Sequence, residues 1–316
     1  MAFTRLFFAT DVHGSEKAYL KFLTAPKFYK VQHLILGGDI TGKAVIPIVK
    51  TPDGFEATFR GTKRQLKDEA QREQLEKQIL DSGSYPYQTD PNEMAELQND
   101  ENRVDAIFHT LMLDRLDRWI RLASERLKGT GVSMYVTGGN DDITDIKPII
   151  EKSDFVVDPE DKVVVVADKY EMASLGMSNP TPWKTPRECS EDELWQKIES
   201  MTSQVKNMKN CIFNFHVPPV DTMISECQKL DENFKPVYVA SEPVIISGGS
   251  VSVRRAIEQY QPMLGLHGHI HESRGEVKIG RTTCINPGSE YGEGILRGAI
   301  VNLDGDSVKS HQLTAG

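Results

Sequence analysis

A chain of 316 residues is long enough for one large α/β domain with an insertion, or for two domains. With 39% hydrophobic and 26% charged residues it can build a sizeable core, which excludes general disorder. The formal net charge of −9 repels the phosphate backbone of nucleic acid, so long nucleic acid is disfavoured as a partner.

The chain opens MAFTRLFFATDVHG, an apolar start too short for a signal peptide. Residues 5 to 10 read as a buried strand, and 15 to 23 as a helix with Ser15 as N-cap. Residues 33 to 36 form a second apolar run ending in Gly37-Gly38-Asp39. This β-α-β opening favours a parallel sheet. Residues 44 to 60 read as an irregular or hairpin excursion with a turn at Pro52-Asp53-Gly54. Residues 62 to 80 are charged and helix-favouring, 81 to 91 loop, and 92 to 128 largely helical. Leu113, Leu116, Ile120, Ala123 and Leu127 give that last helix an apolar face. The span 43–131 is therefore expected to be a largely helical insertion in a single 1–316 domain. It would cap the site or mediate homo-oligomer contacts; a solvated appendage is the plainer alternative.

The core resumes with a strand at 132 to 137 that ends in Gly138-Gly139-Asn140-Asp141-Asp142. Two strands, 163 to 168 and 172 to 176, precede a proline-rich loop at 178 to 186. A helix at 190 to 207 starts with a capping box at Ser190 and Glu193. Strand 211 to 215 ends in His216-Val217-Pro218-Pro219. A helix at 251 to 260 leads to strand 263 to 266, which ends in His267-Gly268-His269-Ile270-His271. Strands near 275 to 285 and 296 to 303 close the chain. No run approaches the ~20 apolar residues of a membrane span. Cys189, Cys211, Cys227 and Cys284 form no CxxC pair and read as reduced thiols, so the cytoplasm is the expected location.

Five apolar strands thus each end in a glycine- or proline-containing turn with metal-type ligands: Asp11 and His13, Asp39, Asn140, His216, and His269 with His271. Ligands of open α/β sheets gather beyond the carboxyl ends of strands. The i, i+2 pairs point one way in extended chain, so each pair can face one cavity. Carboxylate, amide oxygen and imidazole without thiolate suit Mn²⁺, Fe, Co²⁺, Ni²⁺ or Zn²⁺. Two Asp, one Asn and four His are too many for one ion and suit a bridged pair, with Mn²⁺ the first choice. Two ions ~3.5–4 Å apart clamp a phosphoryl group and acidify a water.

The series D-x-H, G-G-D, G-G-N, H-x-P-P and G-H-x-H, in this order, resembles the calcineurin-like metallophosphoesterase superfamily. It covers about 1 to 43 and 132 to 290. The segment Ile285-Asn286-Pro287-Gly288-Ser289 is similar to the tail of its compact prokaryotic phosphodiesterases. The resemblance implies a four-layer α/β/β/α sandwich and two divalent transition-metal ions. It implies that Asp11, His13 and His271 hold the first ion, that Asn140, His216 and His269 hold the second, and that Asp39 bridges them. It also implies a bridging hydroxide as nucleophile. Many members carry His directly after the Asn; here it is Asp141, which departs from that pattern and shifts the expectation towards small phosphodiesters. Phosphomonoesters and short nucleic acid remain alternatives on the same site, and a non-enzymatic scaffold of the same fold is the alternative in another class.

Several neighbours stay open. Asp141 and His267 are candidate catalytic groups and Arg274 a candidate substrate contact, against packing or plain exposure. Asp142 and Asp145 read as caps of the following helix. Arg254 and Arg255 follow a glycine turn that reads as a helix start rather than an anion site. Trp183 lines the pocket or pins its loop. His33 reads as strand edge, His109 as helix packing, and His311 as solvated tail.

Overall fold

The computed structural model describes residues 3–316. Strand β1 (Thr4–Ala9) leads to α1 (Glu16–Tyr29), whose cap Ser15 accepts the Ala18 N–H, and then to β2 (His33–Gly37). The next stretch holds β3 (Val45–Thr51), β4 (Gly54–Phe59), β5 (Thr62–Leu66), α2 (Glu69–Asp81), β6 (Tyr85–Thr89), α3 (Pro91–Leu97) and the long α4 (Glu101–Leu127). The chain continues through β7 (Ser133–Thr137), α5 (Ile146–Glu151), β8 (Val156–Val157), β9 (Val163–Val166), β10 (Tyr170–Leu175), α6 (Glu191–Thr202) and β11 (Cys211–Phe215). Short strands β12 (Glu226–Gln228), β13 (Tyr238–Val239), β14 (Glu242–Pro243) and β15 (Ile245–Ser247) pair into two ribbons. Helix α7 (Val251–Tyr260) precedes β16 (Leu264–Leu266), β17 (Gly275–Ile279), β18 (Thr282–Asn286), β19 (Arg297–Asp304) and β20 (Ser307–Ala315).

The fold is mixed α/β, built on two six-stranded sheets ordered β20-β19-β1-β2-β7-β8 and β17-β18-β16-β11-β10-β9. Their centres are parallel: β1, β2 and β7 in one, β10, β11, β16 and β18 in the other. Parallel strands are buried on both faces. Along β1 the side chains divide by parity. Leu6 and Phe8 pack with Met172, Ile212, Leu264 and Leu266 of the other sheet. Phe7 and Ala9 pack with Tyr19 and Phe22 of α1 and Trp119 and Ile120 of α4. In the second sheet Phe213 and Phe215 turn to Leu194 and Ile198 of α6 and Val253 and Ile257 of α7.

The stretch 43–131 has the three helices α2, α3 and α4 and the expected hairpin at Pro52-Asp53-Gly54, but also more strand than expected. It contains a four-stranded sheet, ordered β5-β4-β3-β6. The charged residues at 62–66 are a strand whose long side chains point to solvent, and helix begins only at Glu69 behind its cap Asp68. The expected loop at 85–89 is an edge strand, where Pro86 is tolerated because the edge leaves N–H groups unpaired. Helix α4 is no appendage. Leu116, Trp119, Ile120, Ala123 and Leu127 enter the main core, and the Trp119 and Tyr19 rings stack at 4.0 Å. His311 is likewise not in a loose tail: it lies on β20, paired with Val301, with its ring against Glu276. No helix among the described residues is long and apolar enough to cross a membrane.

Replacing Trp119 with Ala is expected to cost about 3–5 kcal/mol, because the ring leaves a cavity that α1 and α4 cannot close. Urea unfolding measures it; an unchanged midpoint would mean that α4 adds nothing to the core.

Candidate metal centre

The parallel register brings strand ends level, so the loops after them meet. The β1 and β2 loops are cross-tied by backbone bonds from Asp11 N–H to Gly38 O (2.9 Å), His13 N–H to Asp39 O (2.9 Å) and Gly14 N–H to Ile40 O (2.7 Å). Asp11, His13, Asp39 and His269 have φ of 53°, 37°, 49° and 67°. Side chains with a Cβ rarely sit there, and such strain persists only where the surroundings over-determine it. The fully buried Asp142 supplies part of that constraint. Its carboxylate accepts the Ile40 and Thr41 N–H groups, the Thr41 hydroxyl (2.6 Å) and the Gly139 N–H (2.7 Å). Asp142 therefore locks the β2 loop to the β7 loop and does not cap α5. Asp145 makes no cap bond either; it faces His109 Nε2 at 2.8 Å. Glycine is required where walls touch: a Cβ on Gly38 would strike the His216 ring, and one on Gly139 the Asp39 carboxylate.

All seven candidate ligands meet at this end of the sheets. Asp11, His13, Asp39 and His271 offer ligand atoms within 4.8 Å of one another, a group that could hold a metal ion. Nε2 of His13 faces Nε2 of His271 at 3.1 Å, and Nε2 of His271 lies 3.2 Å from Asp11 Oδ1. On the other side, Asn140 Oδ1 lies 2.7 Å from His269 Nδ1. Asp39 stands between: Oδ2 is 3.6 Å from His13 Nε2, and Oδ1 is 3.4 Å from His216 Nε2. The buried Nε2 of His216 has no hydrogen-bond partner, while its Nδ1 is 3.0 Å from the Gly37 carbonyl. A nitrogen fixed from behind and open in front fits a cation.

The charges agree. Burial alone would raise Asp11 and Asp39, but the His216 imidazole, with His271 at Asp11 and His13 at Asp39, holds both below the ordinary carboxylate range. Burial takes His13 down to about 3 and His269 down to about 4, so both are neutral donors. Burial also opposes charge on His216, but Asp39 and Asp11 outweigh it and push the ring up to about 9. Two buried carboxylates thus demand positive charge at that nitrogen, which a proton or a divalent ion can supply.

No family model matches the chain. Among curated proteins, the uncharacterized protein MJ1162 of Methanocaldococcus jannaschii is 34% identical over 145 residues, 45% of this chain and 59% of that one. The chain thus spans less than two thirds of that relative's length. One solved crystal structure aligns over 100% of this chain and 99% of its own with TM-score 0.60 and 15% identity. The crystal structure of TT1561 of Thermus thermophilus aligns over 100% and 99% with TM-score 0.51 and 12% identity. At these identities the likeness is one of fold.

Three residues at the centre were not singled out in the sequence. Lys43, which ends the β2 loop, pairs with the Asp141 carboxylate. Tyr291 sets its ring 4.6 Å from that of His13 and 5.8 Å from that of His271. Thr185 accepts the Asn140 amide at 2.8 Å while its hydroxyl donates to Glu188 at 2.7 Å. None carries a local signal beyond residue type; a Lys directly after G-D-I-T-G was the nearest to one.

The other candidates are placed as follows. His267 is fully buried, with Nδ1 2.8 Å from the Phe215 carbonyl and no hydrogen bond to the ligand group. Arg274 is exposed and makes no hydrogen bond or ion pair among the described residues. Trp183 is exposed and stacks on Phe234 at 6.3 Å. The α7 start is filled by the Glu191 carboxylate, which accepts the Val251 and Ser252 N–H groups.

Burial lowers His267 to about 4, below its ordinary 6.5. The unfolded chain therefore binds a proton first as pH falls, and the stability this neutral ring carries is complete above about 6.5 and lost towards about 4. In metal-free protein, His267→Asn is expected to flatten the fall of the urea midpoint between those values. An equally steep fall would place the acid sensitivity elsewhere.

Proposed function

We propose that this chain is a metal-dependent phosphoric ester hydrolase of the calcineurin-like metallophosphoesterase kind, acting on small phosphodiesters with two divalent ions, Mn²⁺ first among them. One observation carries the reading: the two oxygens of Asp39 face opposite histidines, Oδ2 towards His13 and Oδ1 towards His216. A carboxylate so placed can serve two ions at once. On this reading Asp11, His13 and His271 would hold one ion, Asn140, His216 and His269 the other, and the helix-sheet-sheet-helix packing corresponds to the four-layer sandwich of that superfamily.

Ions bound there would polarise the phosphoryl oxygens and make a water acidic enough to attack phosphorus near neutral pH. The chain's own groups do the rest. Gly37 fixes the His216 tautomer, leaving Nε2 free to donate. Thr185 fixes the Asn140 amide: its hydroxyl gives its proton to Glu188, so it can only accept from Asn140 Nδ2, and Oδ1 must face the centre. Asp141 stands where many members carry an acid-base His, and its carboxylate is tied to Lys43. The branch of the superfamily without this His is often phosphodiesterase-like, which supports diesters, and leaving-group protonation must come from another group or stay weak. The net charge of −9 keeps the partner class to small phosphorylated molecules rather than long nucleic acid.

Purified protein is expected to contain transition metal, to hydrolyse bis(p-nitrophenyl) phosphate faster than p-nitrophenyl phosphate, and to lose and regain activity with EDTA and Mn²⁺. Metal-free protein that stays inert with Mn²⁺ would overturn the enzyme reading, and a strong monoester preference the diester reading. Asp39→Asn is expected to lose both ions together in metal analysis; retention of one ion with near-normal turnover would reject the bridge. Thr185→Val is expected to weaken Mn²⁺ retention about 10–100-fold while leaving the unfolding midpoint of the metal-free protein in place. Unchanged Mn²⁺ affinity would remove Thr185 from the site.

A further inference from the structure

We propose that Lys43 receives the substrate's phosphate beside the metal centre, and that Asp141 holds that lysine in place. This rests on the hydrolase reading above. The Asp141 backbone is fixed against the centre, since its N–H donates to Asp39 Oδ1 at 3.0 Å. From there its carboxylate reaches two groups: Oδ2 is 4.0 Å from His13 Nδ1 and paired with Lys43 Nζ. Lys43 is thus one ion pair away from the first-ion histidine.

Its backbone is fixed as well. The preceding residue, Gly42, donates its N–H to the Tyr85 hydroxyl at 2.9 Å, and a Cβ there would strike the Gly83 carbonyl. Tyr85 is in turn covered by the Arg115 guanidinium, 3.9 Å from the ring centroid. The lysine therefore leaves a rigid loop and points where the loop sends it. Tyr291, on the rings of His13 and His271, lies at the same margin.

Exposure divides the pair: the Lys43 side chain is 47% exposed, that of Asp141 17%. An ammonium has three donors, and a single carboxylate oxygen accounts for one. The others are open to a phosphoryl oxygen. Cations buried nearby are occupied: Arg115 donates to the Gly14 and Ser84 carbonyls, and Arg187 to Glu160 and the Gly139 carbonyl. Only the ammonium end of the pair is half-exposed, so phosphate can meet the free donors of Lys43 while Asp141 keeps its own contact. The pair is also neutral as a whole. It offers a donor to a diester monoanion, but Asp141 repels the second charge of a monoester dianion. Asp141 is then a selectivity device, where the superfamily pattern would place a proton donor.

The test compares Lys43→Gln, Lys43→Arg and Asp141→Asn with wild type, each loaded with Mn²⁺. Steady-state kinetics on bis(p-nitrophenyl) phosphate are read beside calorimetric binding of inorganic phosphate. Lys43→Gln is expected to raise both KM and the phosphate Kd about tenfold with metal content unchanged. Lys43→Arg is expected to keep most of the affinity. Asp141→Asn is expected to tighten phosphate, because the lysine is released and the repelling charge is gone. Wild-type KM and phosphate Kd in Lys43→Gln would overturn the proposal. So would a collapse of kcat in Asp141→Asn with phosphate Kd unchanged, which would make Asp141 a proton donor. Phosphate binding reads Lys43 even in a protein that turns over nothing, so failure of the hydrolase reading and failure of this one are told apart.

Discussion

Two carboxylates buried beside one another, Asp11 and Asp39, are the constraint on which the rest of the centre depends. Each is almost wholly removed from water, and a buried charge is costly unless positive partners surround it. The imidazoles of His13, His216 and His271 stand at the carboxylate oxygens. His13 and His269 are driven neutral by burial, and His216 is driven the other way by the carboxylates. A site with neutral imidazoles, ionised carboxylates and buried imidazole nitrogens left without partners on His13 and His216 draws positive charge into its centre.

Bringing these groups together strains the backbone. Asp11, His13, Asp39 and His269 hold left-handed conformations, a cost of order 1–3 kcal/mol each that the surroundings must offset. Asp142 bonds three backbone N–H groups and a hydroxyl across two loops. Ser289 bonds the Asp11 carbonyl at 2.6 Å, and Arg115 the Gly14 carbonyl at 2.7 Å. The ligand loops are therefore held from the β7 loop, from the C-terminal region and from α4.

What was legible in the sequence is what depends on neighbours along the chain. The strand ends, the caps at Ser15 and Ser190 and the apolar face of α4 are local patterns, and the structure has them, whereas Asp11, His13 and His269 of the i, i+2 ligand pairs reach the centre from left-handed rather than extended backbone. What escaped depends on partners far away. Thr62–Leu66 carries Lys and Arg as a surface helix would, and only pairing with β4 makes it a strand. Asp142 resembles a helix cap by position, yet its partners lie about a hundred residues back at Ile40 and Thr41. Thr185 and Lys43 have no pattern of their own and matter through Asn140 and Asp141.

The stretch between β2 and β7 gains its meaning from these ties. It begins with Lys43 at the centre, and its far parts return there. Ser15 donates to the Asp81 carbonyl at 2.6 Å, Tyr85 holds Gly42, and Arg115 spans Gly14 and Ser84. At its outer turn, Arg60 reaches the Gly292 carbonyl and Glu293, next to Tyr291. A solvated appendage would leave the His13 loop unchanged when it moved. This one is bonded to the loop before α1, to the residue that carries the rim cation and to the segment that carries Tyr291. The stretch between β2 and β7 is thus part of the wall that fixes Lys43, Tyr291 and the His13 loop in one arrangement.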